Sequence, residues 1–274
     1  MQSKNFKNIA IISASNNQKA ATQKQQLIEK YSLLDFGEID RMKKDSCDLL
    51  IVLGGDGALL HLLHKIENLN TPIYGINCGT VGFLMNKFSN DSHLISLIDN
   101  AKETILHPLQ MTAIDQDGIT HKHFAINEVS LLRQLSLAAK IKVTVNNKTR
   151  IESLICDGIL SATPAGSTAY NLSLHGPIIP LGSKMLALTP ISPFRPRNWN
   201  GALLPANSQV KFEILEGNQR PVSATADFIE VRNIKEVSIF EDTSKIIEEA
   251  MQATYNKSNS KTNISKVAFE IALN

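Results

Sequence analysis

Gly54, Gly55, Asp56 and Gly57 stand between an apolar run at residues 48–53 and a segment, 58–66, whose leucines recur at helical spacing. A glycine-rich turn from strand into helix lets bare backbone N–H groups approach an anion, which is how chains cradle phosphate. A carboxylate in the middle of such a cradle repels the phosphate it should hold. The pattern makes sense where a second ligand arrives at the same turn, the glycines holding one group and Asp56 addressing the other. The spacing is not G-x-G-x-x-G, and no Lys-Ser or Lys-Thr pair follows to make a P-loop. An ordinary Asp-Gly turn is the plain alternative, although a strand-to-helix turn has no need of three glycines.

Three further segments carry candidate chemistry. "GINCGTVGFLMNKF" is a second glycine-rich loop after a strand, with Gly75, Gly79 and Gly82; its Phe83 either covers a flat base or packs in the core. In "FAINEVSLL", Asn127 and Glu128 interrupt an apolar strand. Such a pair suits an adenosine, the amide on the purine edge and the carboxylate on an amino group or ribose hydroxyl; solvated residues at a strand end are the alternative. In "CDGILSATPAGSTAYNLSLHGPIIP", Asp157 and Gly158 open a strand that ends at Thr163 and Pro164. Ala165 and Gly166 then turn the chain, and Ser167 and Thr168 are placed to cap a helix over 170–174. Tyr170 can stack or hydrogen-bond there. A capped turn accounts for Ser167 and Thr168, but not for the small residues on both sides of it.

Other candidates carry less. His61 and His64 lie one helical turn apart, but no third metal ligand is near in sequence, so no metal site is expected. His121 and His123 share a strand face and read as solvated. Arg195 and Arg197 in "FRPRNW" can touch phosphate, an interface or only solvent.

The elements that must position these residues fall into two textures. Residues 9–12, 48–53 and 73–76 are continuous apolar runs separated by helical stretches, including 19–30. That pattern marks parallel strands covered on both faces, with ligands at their carboxyl ends. After residue 107 the chain alternates apolar and polar residues between turn signals, at Asp117-Gly118 and Asn146-Asn147, with further strands at 209–215, 222–231 and 237–240. The expected fold is an α/β N-terminal domain with a parallel open sheet, residues 1–106, and an all-β, sandwich-like C-terminal domain, residues 107–244. The closing "VAFEIAL", within a tail of 245–274, is a candidate for return to the first domain.

Composition narrows the function classes. A formal charge of +2 over 274 residues gives no electrostatic footprint for nucleic acid or an anionic membrane. Aromatic content of 5% is low for base-stacking platforms. Three cysteines, Cys47, Cys78 and Cys156, show no disulfide or metal spacing and fit a reducing, cytoplasmic compartment. The apolar run near the N-terminus is too short for a signal peptide or membrane span.

Gly-Gly-Asp-Gly after a strand, then Asn127-Glu128, then Asp157-Gly158 followed by "TPAGSTAY" resembles the NAD kinase family, in motif order from residue 9 to about 231. Gly-Gly-Asp-Gly alone is shared with diacylglycerol and sphingosine kinases and with phosphofructokinases; "TPAGSTAY" with the upstream Asn-Glu is far more specific. The resemblance implies transfer of a phosphoryl group from ATP or polyphosphate, with Mg²⁺ or another divalent cation, to the adenosine ribose 2′-hydroxyl of NAD, giving NADP. It implies a homodimer or homotetramer in which a neighbouring subunit completes the NAD site. By position it makes Asp56 the catalytic carboxylate, with Gly54, Gly55 and Gly57 at the phosphates. Asn127 and Glu128 fall on the adenosine, and Thr168, Ala169, Tyr170 and Ser173 on the adenine and ribose pocket. Phe83 falls on an adenine contact and Asp157 at the nicotinamide end. The chain departs from the family pattern at Ala58, where Thr is usual, at Ala165, where Thr or Ser is commoner, and at Phe228, where Asp227 is usually followed by Gly. A lipid kinase of the diacylglycerol or sphingosine type and a non-catalytic NAD(P) sensor are the alternatives.

Overall fold

A computed structural model describes residues 6–41, 46–66, 71–80, 82–89 and 93–244, with the backbone of 247–252. The chain divides into two compact units, after residue 105 and again after residue 246, so the first unit takes residues from both sides of the second.

In the first unit the chain runs β1 (Ile9–Ser13), α1 (Gln18–Tyr31), β2 (Leu34–Glu38), β3 (Leu49–Gly54) and α2 (Asp56–Lys65). It continues through β4 (Ile73–Asn77), α3 (Leu94–Asp99) and β5 (Ala101–Leu106). Residues of β1 and β3 are buried throughout, as expected of strands covered on both faces. The sheet order is β2-β1-β3-β4, then a strand at Ile247–Gln252, then β5, and the β1–β2, β1–β3 and β3–β4 pairs are parallel. Strand order reverses between β1 and β3, the place where open α/β sheets bind ligands, and Gly54 ends β3 there.

The second unit adds β6 (Leu109–Asp115), β7 (Thr120–Ala125), β8 (Glu128–Arg133), β9 (Ala139–Val145), β10 (Lys148–Cys156) and β11 (Gly158–Ala162). A 3₁₀ turn at Gly166–Thr168 and the short α4 (Tyr170–Ser173) follow. The chain closes the unit with β12 (Met185–Ile191), β13 (Ala202–Pro205), β14 (Val210–Leu215), β15 (Val222–Ala226), β16 (Ile229–Val231) and β17 (Ile234–Glu241). Two antiparallel sheets result, β10-β9-β14-β17-β6-β7 and β13-β12-β11-β8-β15-β16. Their inward residues, among them Met111, Val143 and Phe212 from one and Leu131, Ile159 and Ala224 from the other, share one core. This is the sandwich architecture that the alternating pattern implies. The last strand among the described residues, β18 (Ile247–Gln252), pairs parallel with β4 in the first sheet. Residues 267–273, the "VAFEIAL" segment, lie outside the described residues.

Three local expectations are corrected. Residues 222–231 form not one strand but the β15–β16 hairpin, because Asp227 takes a left-handed conformation, φ +53°, and turns the chain after Ala226. Asn127 and Glu128 do not interrupt a strand; the chain bends at Ile126-Asn127 and β8 begins at Glu128. Ser167 and Thr168 cap no helix. The Ser167 hydroxyl donates to Pro164 O and accepts from Ile179 N, and the Thr168 hydroxyl donates to Ala165 O. Four residues of helix, with no side-chain cap, are all that follow.

Candidate active site

The glycine-aspartate turn of the first unit is built by close backbone approach. A Cβ on Gly54 would lie 2.7 Å from the Ala58 Cβ and 3.2 Å from that of Ala14, so β3 can meet α2 and the end of β1 only through a glycine. Cys78 N donates to Gly54 O (2.7 Å) and Ala14 N to Leu53 O (2.8 Å), lacing the strand ends together. By contrast, Cβ atoms on Gly55 and Gly57 would meet nothing within 4 Å. Their bareness serves the open side of the turn. Gly55 starts α2 without a side-chain cap, so no side chain covers the N–H groups that a helix start leaves for an anion.

Asp56, the first residue of α2, has a role that its spacing did not disclose. Its Oδ2 accepts from Phe83 N (2.8 Å) and its Oδ1 from Leu84 N (3.1 Å), tying the second glycine loop to the first. A carboxylate carries about four acceptor positions, so two such bonds leave capacity for a substrate hydroxyl. Phe83 is half-buried and joins this cluster through its backbone. The loop is held from its other end by Asn86, whose Nδ2 donates to Gly75 O (2.9 Å). A cleft of about 660 Å³ is lined by Lys19 and Gln23 of α1 and by Asn77 and Phe88, the latter two from the segment of the second glycine-rich loop.

In the second unit the charges of Glu128 and Asp157 act on Tyr170, Gly166 abuts Asn127, and Thr168, Ala169 and Ser173 flank Tyr170 along the chain. Asn127 Oδ1 and Glu128 Oε2 are buried and have no hydrogen-bond partner among the described residues, a costly state unless a ligand completes it. Burial, and then the charge of Asp227, push the Glu128 carboxyl up to about 8. Its protonated form, favoured by this shift, offers one O–H donor and one acceptor, the valences that match a ribose hydroxyl. Burial and the charges of Glu128 and Asp157 also raise the Tyr170 hydroxyl. Asp157 Oδ1 accepts from Arg133 Nε at 2.6 Å. Ser173 is exposed and lies three residues beyond Tyr170, on the same face of α4.

Residues that sequence reasoning did not single out hold this cluster. Asn171, fully buried, donates through Nδ2 to Ser167 O and Pro177 O and accepts from Thr189 Oγ1 at 2.6 Å, which fixes α4 against β12. A lone amide in a run of small and apolar residues was the available signal. Gly166 passes so close to Asn127 that a Cβ would fall 2.1 Å from its carbonyl oxygen. Among the described residues no group of three or more His, Cys, Asp or Glu side chains is arranged to hold a metal; His61 Nε2 lies 3.1 Å from Asp40 Oδ1.

The family model for the ATP-NAD kinase N-terminal domain matches residues 6–102, and that for the ATP-NAD kinase C-terminal domain matches residues 126–238. The chain belongs to the ATP-NAD kinase family. It is 55% identical over 198 residues to an NAD kinase of Caulobacter vibrioides, covering 72% of this chain and 76% of that one. To an NAD kinase of Rickettsia bellii it is 46% identical over 243 residues, covering 89% and 91%. Two solved structures share the fold of this ATP-NAD kinase family member. A yeast NADH kinase complexed with NADH superposes with a TM-score of 0.76 at 21% identity, covering 94% of this chain and 91% of that one. An NAD kinase from Archaeoglobus fulgidus in complex with ATP gives 0.71 at 19% identity, covering 90% and 94%. No helix among the described residues is long and apolar enough to cross a membrane.

Proposed function

We infer that this protein transfers the γ-phosphoryl group of ATP to the adenosine ribose 2′-hydroxyl of NAD, giving NADP. The observation that carries the reading is the buried Asn127–Glu128 pair, whose orphaned oxygens face no protein partner, in a chain whose relatives are NAD kinases across most of its length. Asn127, Glu128 and Tyr170 bind the adenosine, Thr168, Ala169 and Ser173 line its pocket, and Asp157 takes the nicotinamide end; Phe83 is assigned an adenine contact by its place in the family pattern alone. The amides on the open side of the turn, at Gly55 and Gly57, receive the donor phosphates, and Gly54, buried at the end of β3, lets the strand approach α2. Asp56 orients the acceptor hydroxyl and takes its proton late, as a loose phosphoryl-transfer transition state permits.

A divalent cation, Mg²⁺ by preference, would be held on the ATP phosphates and would offset their charge. Mg²⁺ is commonly held largely by substrate phosphates and water rather than by a dedicated protein cage. Polyphosphate is the alternative donor. The protein works in the cytoplasm as a homodimer or homotetramer whose neighbouring subunit completes the NAD site. Nothing favours a lipid acceptor or a silent sensor. The deciding assay incubates purified protein with NAD, Mg²⁺ and either ATP or polyphosphate and measures NADP; no NADP from either donor refutes the reading.

A further inference from the structure

The bend at residues 126–128 is gripped by a residue about a hundred positions away. Asp227 Oδ2 accepts from Ile126 N at 2.7 Å, and its Oδ1 accepts from Asn127 N at 2.9 Å and Glu128 N at 3.2 Å. Three successive amides converge on one carboxylate, an arrangement suited to a full negative charge. The Asp227 amide donates in return to Glu128 O at 3.1 Å. From the opposite side Thr163 Oγ1 donates to Ile126 O (2.6 Å) and Thr163 N to Asn127 O (2.9 Å). The backbone of this segment is thus satisfied on both edges, while the buried side-chain oxygens of Asn127 and Glu128 are the ones without partners.

We propose that Asp227 is a positioning residue of the NAD site, its carboxylate fixing the 126–128 backbone so that Asn127 and Glu128 are aimed at the ligand. The inference rests on the function proposed above. It also assigns a task to a residue that is followed here by Phe228 where the family pattern has Gly. Phe228 does not disturb the clamp, because the residue in the left-handed conformation is Asp227 itself. The charge of Asp227 has a second consequence. Among the described residues, Asp227 raises the proton affinity of Glu128, and the charges of Glu128 and Asp157 act in turn on Tyr170.

The test uses the full chain with Asp227→Asn, and Asp115→Asn as a matched control, since Asp115 likewise clamps backbone amides in a turn, those of Asp117 and Ile119. Asp227→Asn is expected to raise the KM for NAD about ten-fold, from the loss of charge-assisted hydrogen bonds, while the KM for ATP stays at the wild-type value. The inflection in the pH profile of the NAD KM should move to lower pH, because Glu128 loses its neighbouring charge. Asp115→Asn should lower the melting temperature without changing either KM. Asp227→Glu, which keeps the charge but displaces the carboxylate, should raise the NAD KM with the inflection in place. An unchanged NAD KM in either Asp227 variant overturns the proposal, as does a parallel rise in both KM values. If the wild type binds NAD but makes no NADP, the proposed reaction fails, and NAD affinity by calorimetry decides the role of Asp227 by the same comparison.

Discussion

Asp56 joins two tasks in one carboxylate, and substitution should separate them. Asp56→Asn keeps the shape but offers a single acceptor oxygen where Phe83 N and Leu84 N now share two. One N–H is left facing an amide NH₂, a loss of about 1–3 kcal/mol of stability. Removal of the proton acceptor should lower turnover about 10²–10⁴-fold. Steady-state rates at saturating NAD and ATP, taken below the melting transition, check this; turnover within a few-fold of wild type sinks the catalytic role and leaves Asp56 a loop anchor. Glu128 makes the pH-dependent prediction. Its carboxyl titrates near 4.5 when exposed and near 8 when folded. Below the lower value it is protonated in both states. Between the two only the folded chain binds the proton, so stability falls as pH rises through this window, and above the upper value the loss is complete. Glu128→Gln removes the titration and should become increasingly more stable than wild type from pH 4.5 to 8. Urea unfolding across that range measures it, and parallel pH curves for the two proteins would contradict the buried acid.

At the scale of elements, two glycines beside the site do opposite work. Gly57 lies in the first turn of α2 with open space where a Cβ would be. Gly57→Ala should therefore leave the melting temperature unchanged or raise it, by up to about 1 kcal/mol of helix preference. The added methyl should nevertheless raise the KM for ATP. Gly166 abuts the Asn127 carbonyl; Gly166→Ala should cost about 1–3 kcal/mol by overpacking and weaken NAD binding as Asn127 shifts. Thermal melts and substrate titrations of the two variants check the contrast, and a stable Gly166→Ala with normal NAD affinity would refute it. The same elements mark how far sequence reading reached. The buried runs of β1, β3 and β4 were legible because both faces are covered, and the hairpins at Asp117-Gly118 and Asn146-Asn147 because their turn residues are specific. The edge strand β2 and the strands β12 and β13 left weak patterns. The clamp of Asp227 on residues 126–128 and the bonds of Asp56 to Phe83 and Leu84 join positions remote in sequence, and no local spacing encodes such contacts.

At the scale of the whole molecule, chain order separates the two units' routes to stability. The second unit is one continuous stretch, 106–246, and its core draws on both of its sheets. The first is discontinuous: β18 returns after the entire second unit and lies between β4 and β5 in the sheet. A parallel strand in that place supplies ladder hydrogen bonds on both sides, so a chain ending at residue 246 leaves β4 and β5 without their shared neighbour. Exposed strand edges of this kind invite association. The expected outcome is that the fragment 106–246 folds alone with a cooperative melt. The chain truncated after 246 should keep that melt but lose its first unit to proteolysis and aggregation. Circular dichroism and limited proteolysis of both fragments measure this. A truncated chain whose residues 6–105 stay protease-resistant would show that β18 is dispensable, and that the first sheet draws its stability from β1, β3 and β4 alone.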